Sequence, residues 1–276
     1  MDRLTLLAPA KLNLRLLVGP RRDDGYHPLR SLMVALDGLA DTVRVARADV
    51  RRVACPGIEG RENLAWRALD ALEAEVGRPL PLDVVIEKAI PAQAGLGGGS
   101  SDAAAVLLAA DRLHGVGLGR ERLEAVAARV GSDVPFFIRG GCQWAEGRGE
   151  LLRPARCPGF AAVLVKPPIG LSTARVYAAF DRVPAPPPGD RAEPPAGMPA
   201  LAAWVRNDLW APALTLAPSL GATARALAAA GARATLLCGS GSCVAGLFAD
   251  RAGAEAAAAQ VAGDDPAIVV TPGAGA

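Results

Sequence analysis

Aromatic side chains are scarce. Five Phe, four Trp and two Tyr make up 4% of the 276 residues, so Ala, Leu and Val must build the core. Histidine is scarcer still, with only His27 and His114, which argues against a His-rich metal centre. The cysteines (Cys55, Cys142, Cys157, Cys238, Cys243) are odd in number and show no CxxC spacing, so neither a zinc site nor a disulfide framework is expected. No apolar run reaches the roughly 18 residues needed to span a bilayer. Charge is nearly balanced: 30 Lys and Arg less 28 Asp and Glu leaves +2, which argues against a nucleic-acid-binding surface.

What is present suits a globular protein. Hydrophobic residues are 51% and charged residues 21%, enough for a sizeable core and too apolar for global disorder. The length suits two lobes. The opening Met1-Asp2-Arg3 runs into a short alternating stretch rather than the apolar core of an export signal. The thiols therefore read as reduced, in a cytoplasmic protein, with Cys238 and Cys243 as small buried residues.

Leu12, Leu14, Leu16 and Val18 alternate as in a half-buried strand. Further strands are predicted over Leu29–Leu36, Thr42–Val45 and Leu82–Ile90, the last ended by Pro91. Helical spacing predicts a helix over Glu62–Val76, and Ala/Leu-rich helices follow at Ser101–Leu113 and Arg120–Val130. The second half predicts strands at Ala161–Val165, Ala234–Cys238, Val244–Phe248 and Ile268–Thr271. Helices are predicted at Thr173–Phe180 and Ala252–Val261, with a broken helical stretch over Ala200–Ala230. Pro184–Pro199 is rich in proline and charge and reads as an exposed loop. The boundary between the halves is expected near Leu152–Pro158.

The sharpest motif is Pro91-Ala92-Gln93-Ala94-Gly95-Leu96-Gly97-Gly98-Gly99-Ser100-Ser101-Asp102, between a predicted strand and a predicted helix. Glycines let backbone N–H groups approach a ligand, and a helix N-terminus favours an anion, so the junction suits a phosphate. Ser100 and Ser101 add hydroxyls for hydrogen bonds or a magnesium ion. The alternative is a plain turn with a Ser/Asp helix cap. A Walker A loop is excluded because no lysine is present, and a dinucleotide fingerprint because Ser100 replaces its last glycine.

Four other segments carry polar groups where chemistry could use them. Lys11 and Asn13 share one face of a strand, as an anion or hydroxyl site or as solvated edge residues. Gly25-Tyr26-His27-Pro28 offers two rings, either for a planar ligand or for the core. In Gly131-Ser132-Asp133-Val134-Pro135, Asp133 opens a predicted helix as a cap or as a base toward an alcohol. Gly239-Ser240-Gly241-Ser242 lies between two strands, as a hairpin turn or a second wall of a site.

Together these segments resemble the GHMP kinases. Pro9-Ala10-Lys11-Leu12-Asn13, the Gly95–Ser101 loop and Gly239-Ser240-Gly241-Ser242-Cys243 stand in that family's order, and the match runs from Ala8 to Phe248. Asp24-Gly25-Tyr26-His27 and Gly131-Ser132-Asp133-Val134-Pro135 are similar to the branch acting on a cytidine-diphosphate-linked methylerythritol, and Asn207-Asp208 fits the same pattern.

The resemblance implies an α+β, two-lobed fold. Residues 1–152 would form an ATP-binding lobe with a left-handed β-α-β-type site, and residues 153–276 an α/β substrate lobe. It implies ATP and Mg²⁺, with the metal ligands unassigned. Lys11 and Asp133 would be catalytic. Pro91, Gly95, Leu96, Gly97, Gly98, Gly99, Ser100 and Ser101 would wrap the ATP phosphates, with Lys88 and Asn63 near the nucleotide. Asn13 would approach the reacting hydroxyl. Tyr26, His27 and Tyr177 would hold the cytosine, with His27 and Tyr177 on its two faces.

Gln93 stands where many members carry Gly or Ala, so the loop's first turn departs from the pattern. A homoserine- or mevalonate-type kinase is the first rival, opposed by Tyr26-His27, since those substrates offer no ring. A silent nucleotide- or sugar-binding sensor is the second, opposed by Lys11, Asp133 and Ser100. Oligomeric state is not legible.

Overall fold

The computed structural model describes residues 2–183, 192–263 and 266–273. Its spine is an antiparallel pair, β1 (Arg3–Val18) and β2 (Leu29–Arg47). The pattern predicts two strands within the second of these. The chain instead runs through as one and bends at Gly38, where φ is +98°. A Cβ at Gly38 would lie 2.8 Å from the Val269 carbonyl oxygen, so glycine there admits the chain's last strand. β1 is also more buried than predicted. Leu12 and Leu14 enter one core cluster, Leu16 and Val18 another, and Lys11 and Asn13 are buried on the opposite face.

The first half adds β3 (Arg52–Ala54), α1 (Leu64–Val76) and β4 (Leu82–Glu87), with β4 pairing both β3 and β2. β4 stops short of the predicted Ile90. The N–H groups of Ala89 and Ile90 donate to the Asp41 carboxylate, at 2.6 and 2.8 Å, and not to a ladder partner. Then come α2 (Gly98–His114), α3 (Arg120–Val130), α4 (Val134–Arg139), β5 (Cys142–Gly147) and β6 (Leu151–Pro154). The last two strands escaped prediction; β5 pairs β2 and β6 pairs β5.

α2 is buried nearly all round, through Ala103, Ala104, Ala105, Val106, Leu107, Ala109 and Ala110. Small side chains let it approach its neighbours closely, which is how a core with few aromatics still packs.

The second half comprises β7 (Ala161–Val165), α5 (Thr173–Phe180), α6 (Met198–Trp204), β8 (Arg206–Asn207), α7 (Trp210–Leu216) and α8 (Ser219–Ala229). It ends with β9 (Ala234–Leu237), β10 (Val244–Phe248), α9 (Arg251–Val261) and β11 (Ala267–Pro272). β11 pairs β7 and also reaches β2 at Asp37 and Leu36, joining both halves in one 11-stranded sheet. The expected division after residue 152 falls inside β6, and one core cluster joins Leu12 and Trp144 to Leu164 and Leu247. Of the expected 184–199 loop, 184–191 lies outside the described residues, and Met198 already begins α6.

All five cysteines are free thiols. Among the described residues, no helix is long and apolar enough to cross a membrane.

Candidate active site

Lys11 sits on β1 between two irregularities in its pairing with β2, at Pro9/Lys11 and at Asn13/Arg15. Such bulges re-aim side chains. Its side chain is 5% exposed, so the ammonium must be satisfied inside the protein. It donates to Asn13 Oδ1 at 2.6 Å and to the Gly95 carbonyl at 3.0 Å, and lies 3.6 Å from Asp133 Oδ2. Asn13 in turn donates to Ser31 Oγ at 2.8 Å. Ser31 belongs to no motif; only the β1/β2 register brings it here.

The glycine loop lies directly against this cluster. The Lys11 N–H donates to the Leu96 carbonyl at 2.9 Å. α2 begins inside the glycine run rather than at the predicted Ser101. Its N-cap is Gly97, in the left-handed region at φ +76°, and no side chain caps it. The Ser/Asp cap is therefore absent, and the first-turn N–H groups are left for a ligand. Gly97 is required by packing too: a Cβ there would lie 2.8 Å from the Phe137 ring and 3.0 Å from Lys11 Cγ. Ser100 lines the cavity. Ser101 is 1% exposed, with a hydroxyl that has no partner among the described residues. Pro91 opens the turn without lining the cavity. Gln93 occupies the left-handed region at φ +51°, and its carbonyl accepts from the Ser242 N–H at 3.0 Å.

Asp133 precedes α4 and caps nothing, so the helix-cap alternative for it fails. Its side chain, 36% exposed, lines a cavity of about 810 Å³. Lys11, Asn13, Tyr26, His27, Gly95, Gly97, Ser100, Asp133 and Tyr177 all line this cavity. So do Gly239 and Ser240, which makes their segment both a hairpin turn and a wall. Ser240 and Thr173 hydroxyls meet at 2.8 Å.

The ring-bearing end departs from expectation. His27 and Tyr177 lie with centroids 5.3 Å apart and planes tilted by 39°. A ring held between two others needs about 7 Å, two van der Waals spacings, so His27 and Tyr177 cannot form the two faces of one slot. His27 is instead built into the wall. Its Nδ1 meets the Gly19 carbonyl at 2.9 Å, its Nε2 meets Asp181 at 3.0 Å, and Phe180 packs edge-on at 5.5 Å. Tyr26 is 53% exposed, beneath the Arg148 guanidinium. Burial pushes the Tyr177 hydroxyl up to about 12, with the Asp133 charge adding to the effect. Asp181 and Arg148 carry no sequence signal of their own.

Lys88 and Asn63 do not line this cavity. Asn63 caps α1, its side-chain oxygen accepting from Ala65 N at 2.9 Å. Lys88 donates to Asp102 Oδ2 at 2.6 Å and to Asp41. Burial works against the Lys88 charge, but Asp102 and Asp41 outweigh it and raise its pKa. Burial pushes the Asp102 carboxyl up to about 7, with Asp41 adding and Lys88 opposing. Among the described residues, no cluster of three or more His, Cys, Asp or Glu could hold a metal ion.

Comparison with known proteins adds to this geometry. The model of the GHMP kinases N terminal domain matches residues 63–141, and that of the GHMP kinases C terminal matches residues 199–265. A 4-diphosphocytidyl-2-C-methyl-D-erythritol kinase of Geobacter sp. (strain M21) is 43% identical, covering 95% of this chain and 95% of its own. The crystal structure of a 4-(cytidine 5'-diphospho)-2C-methyl-D-erythritol kinase superposes with a TM-score of 0.79 at 38% identity, covering 98% of this chain and all of its own (100%). A homoserine kinase of Cytophaga hutchinsonii superposes with a TM-score of 0.71, covering 100% of this chain and 96% of its own; at 16% identity it speaks for the fold alone.

Proposed function

The chain belongs to the GHMP kinases, and from that premise we propose that it transfers the γ-phosphoryl group of ATP to the 2-hydroxyl of 4-diphosphocytidyl-2-C-methyl-D-erythritol. This reading makes it an enzyme of isoprenoid precursor synthesis. One observation carries it at the level of the site: the Lys11 ammonium touches the glycine loop at Gly95 and faces the Asp133 carboxylate at 3.6 Å. A base and a phosphate cradle thus meet across one side chain.

In this reading Asp133 accepts the proton of the attacking hydroxyl as its oxygen bonds to phosphorus and the bond to the ADP oxygen breaks. Lys11 stabilises the charge that builds between them, and Asn13 orients the alcohol. The free N–H groups at the start of α2 take the phosphate oxygens. Pro91 and Leu96 shape the loop, with Gly98 and Gly99 giving backbone access. Tyr26 and Tyr177 flank the cytosine, and His27 holds the wall between them.

Mg²⁺ fits the donor set. Bound with the nucleotide, it would be held mainly by phosphate oxygens and water, and the Ser100 hydroxyl at the cavity would be the protein donor. When bound it would neutralise charge on the phosphate oxygens. Five free thiols suit a reducing, cytoplasmic setting. The residues up to β6 form the nucleotide lobe of this reading and those beyond it the substrate lobe.

The test is ADP formation by the purified protein with a panel of alcohols: the cytidine-diphospho compound, homoserine and mevalonate. Turnover confined to the cytidine compound is the expected result. Turnover with either of the others overturns the substrate assignment, and turnover with none favours the silent sensor.

A further inference from the structure

Asn207 is buried, at 8% exposure, and its side-chain hydrogen bonds go to backbone. Its amide nitrogen donates to the Leu237 carbonyl at 2.8 Å and the Gly239 carbonyl at 2.7 Å. Its oxygen accepts from Leu209 N at 2.9 Å. An aspartate could not replace it, because both carbonyls need a donor.

The strand that carries Asn207 has two residues and depends on β1 for its place. Leu16 lies opposite Asn207, Asp208 N donates to the Leu16 carbonyl at 2.9 Å, and Val18 N donates to Asp208 Oδ2 at 3.0 Å. Asn207 is thereby fixed to the strand that also carries Lys11 and Asn13. On its other side stands the Gly239–Ser240 wall. A Cβ on Gly239 would lie 2.8 Å from the Gly95 carbonyl and 3.1 Å from Lys11 Nζ. The same turn is tied to the phosphate loop, Ser242 N donating to the Gln93 carbonyl at 3.0 Å and Cys243 N to the Ala94 carbonyl at 3.3 Å.

We infer that Asn207 is a positioning residue: its two amide hydrogens hold the Gly239–Ser240 wall at a set distance from Lys11 and the phosphate loop. The inference rests on the kinase reading of the cavity. It gives the second half of the chain a direct share in aligning the reacting groups, through backbone carbonyls bound to Asn207. A displacement of about 1 Å at reacting groups costs on the order of 10²-fold in rate.

The test is Asn207→Asp, which keeps size and the acceptor for Leu209 while turning the donor nitrogen into an oxygen that faces two carbonyls. The expected result is a kcat about 10²-fold lower with KM for ATP changed by less than about threefold. Turnover should partly recover as pH falls, because a protonated carboxyl restores one donor, and wild type should show no such recovery. Hydrogen exchange should quicken at the Ser242 and Cys243 amides and not across the chain.

A kcat within about twofold of wild type, or exchange that rises uniformly or not at all at those amides, overturns the inference. If the aspartate variant does not fold, Asn207→Ser, smaller and neutral, takes its place under the same criteria except pH recovery. Should wild type phosphorylate none of the alcohols offered, the kinase reading fails on that assay, while the exchange experiment still decides whether Asn207 holds the wall.

Discussion

Two lysines stand on either side of the glycine loop, and the difference between them lies in their acids. Lys11 faces Asp133, whose side chain is 36% exposed and lines the cavity. Lys88 faces Asp41 and Asp102, whose side chains are 0% and 4% exposed. The first centre has an acid that a ligand can reach. The second seals two acids around one ammonium and ties β2, the end of β4 and α2 together. The loop glycines divide in the same way. A Cβ on Gly97 would meet Lys11 Cγ at 3.0 Å, one on Gly98 would meet Lys88 Nζ at 3.2 Å, and one on Gly99 would meet only Leu64 at 3.7 Å. In the proposed mechanism the open acid serves the chemistry, while the closed ones hold strand and helix together.

The largest expected effect breaks the open centre. Asp133→Asn removes the proposed proton acceptor, so turnover should fall by roughly 10²–10⁴-fold. Stability should change little, because Asp133 caps no helix. Lys11→Met should lose turnover as well, and the double variant should be far from additively worse, since the two act as a unit. Steady-state kinetics with ATP calorimetry would check this; an Asp133→Asn variant that keeps most of its turnover would remove the distinction between the centres.

Lys88→Met attacks the closed centre and should cost stability rather than chemistry. Breaking a buried charge cluster by removing one partner costs about 3–5 kcal/mol. Urea unfolding should show that loss while the folded fraction keeps its kcat. A lost ATP affinity at unchanged stability would move Lys88 into the open class.

The closed centre should also carry a pH signature. The Asp102 carboxyl, pushed up to about 7, holds its proton in the fold after the unfolded chain has released its own. Stability from this group is therefore complete below about pH 4 and falls as pH rises toward 7, by at most about 1.4 kcal/mol per pH unit. Subtracting thermal melts of Asp102→Asn from those of wild type across that window should isolate the slope. A flat difference would mean that Asp102 is ionised throughout.

The smallest effect sharpens the comparison at the loop. Gly99→Ala has room and lies within α2, so it should stabilise the fold by up to about 1 kcal/mol. ATP affinity should nonetheless weaken, because the added methyl stands beside the first-turn N–H groups. Gly98→Val is a poorer probe, since its side chain would press on Ile90 and Lys88 before any ligand. Calorimetry on Gly99→Ala that shows unchanged ATP binding would leave that glycine without a ligand-based reason.

Most of the helices and the glycine loop were legible because their spacing is local. β5 and β6 were not, since Cys142–Gly147 mixes core and polar residues and pairs only because β2 offers an edge. β2 read as two strands, Leu29–Leu36 and Thr42–Val45; the chain runs through Gly38 between them, where a distant strand pairs with it. At the site, Lys11, Asn13 and Asp133 were legible as motif residues. Ser31, Thr173 and Asp181 were not, because a single serine, threonine or aspartate has no signal until packing gives it a neighbour.

The sequence by itself determined that a glycine-rich loop would open a helix, that a lysine and an amide would share a strand face, and that few aromatics would force a core of aliphatic side chains. It did so because backbone period and glycine's freedom act over a few residues. Only the tertiary structure decided that Lys11 would meet Asp133 and that Asn207 would reach Gly239. It also decided that His27 would be spent on Gly19 and Asp181 instead of facing Tyr177 across a slot. Most of those meetings join residues far apart in the chain, brought together by packing against one shared sheet, a condition that no local pattern expresses.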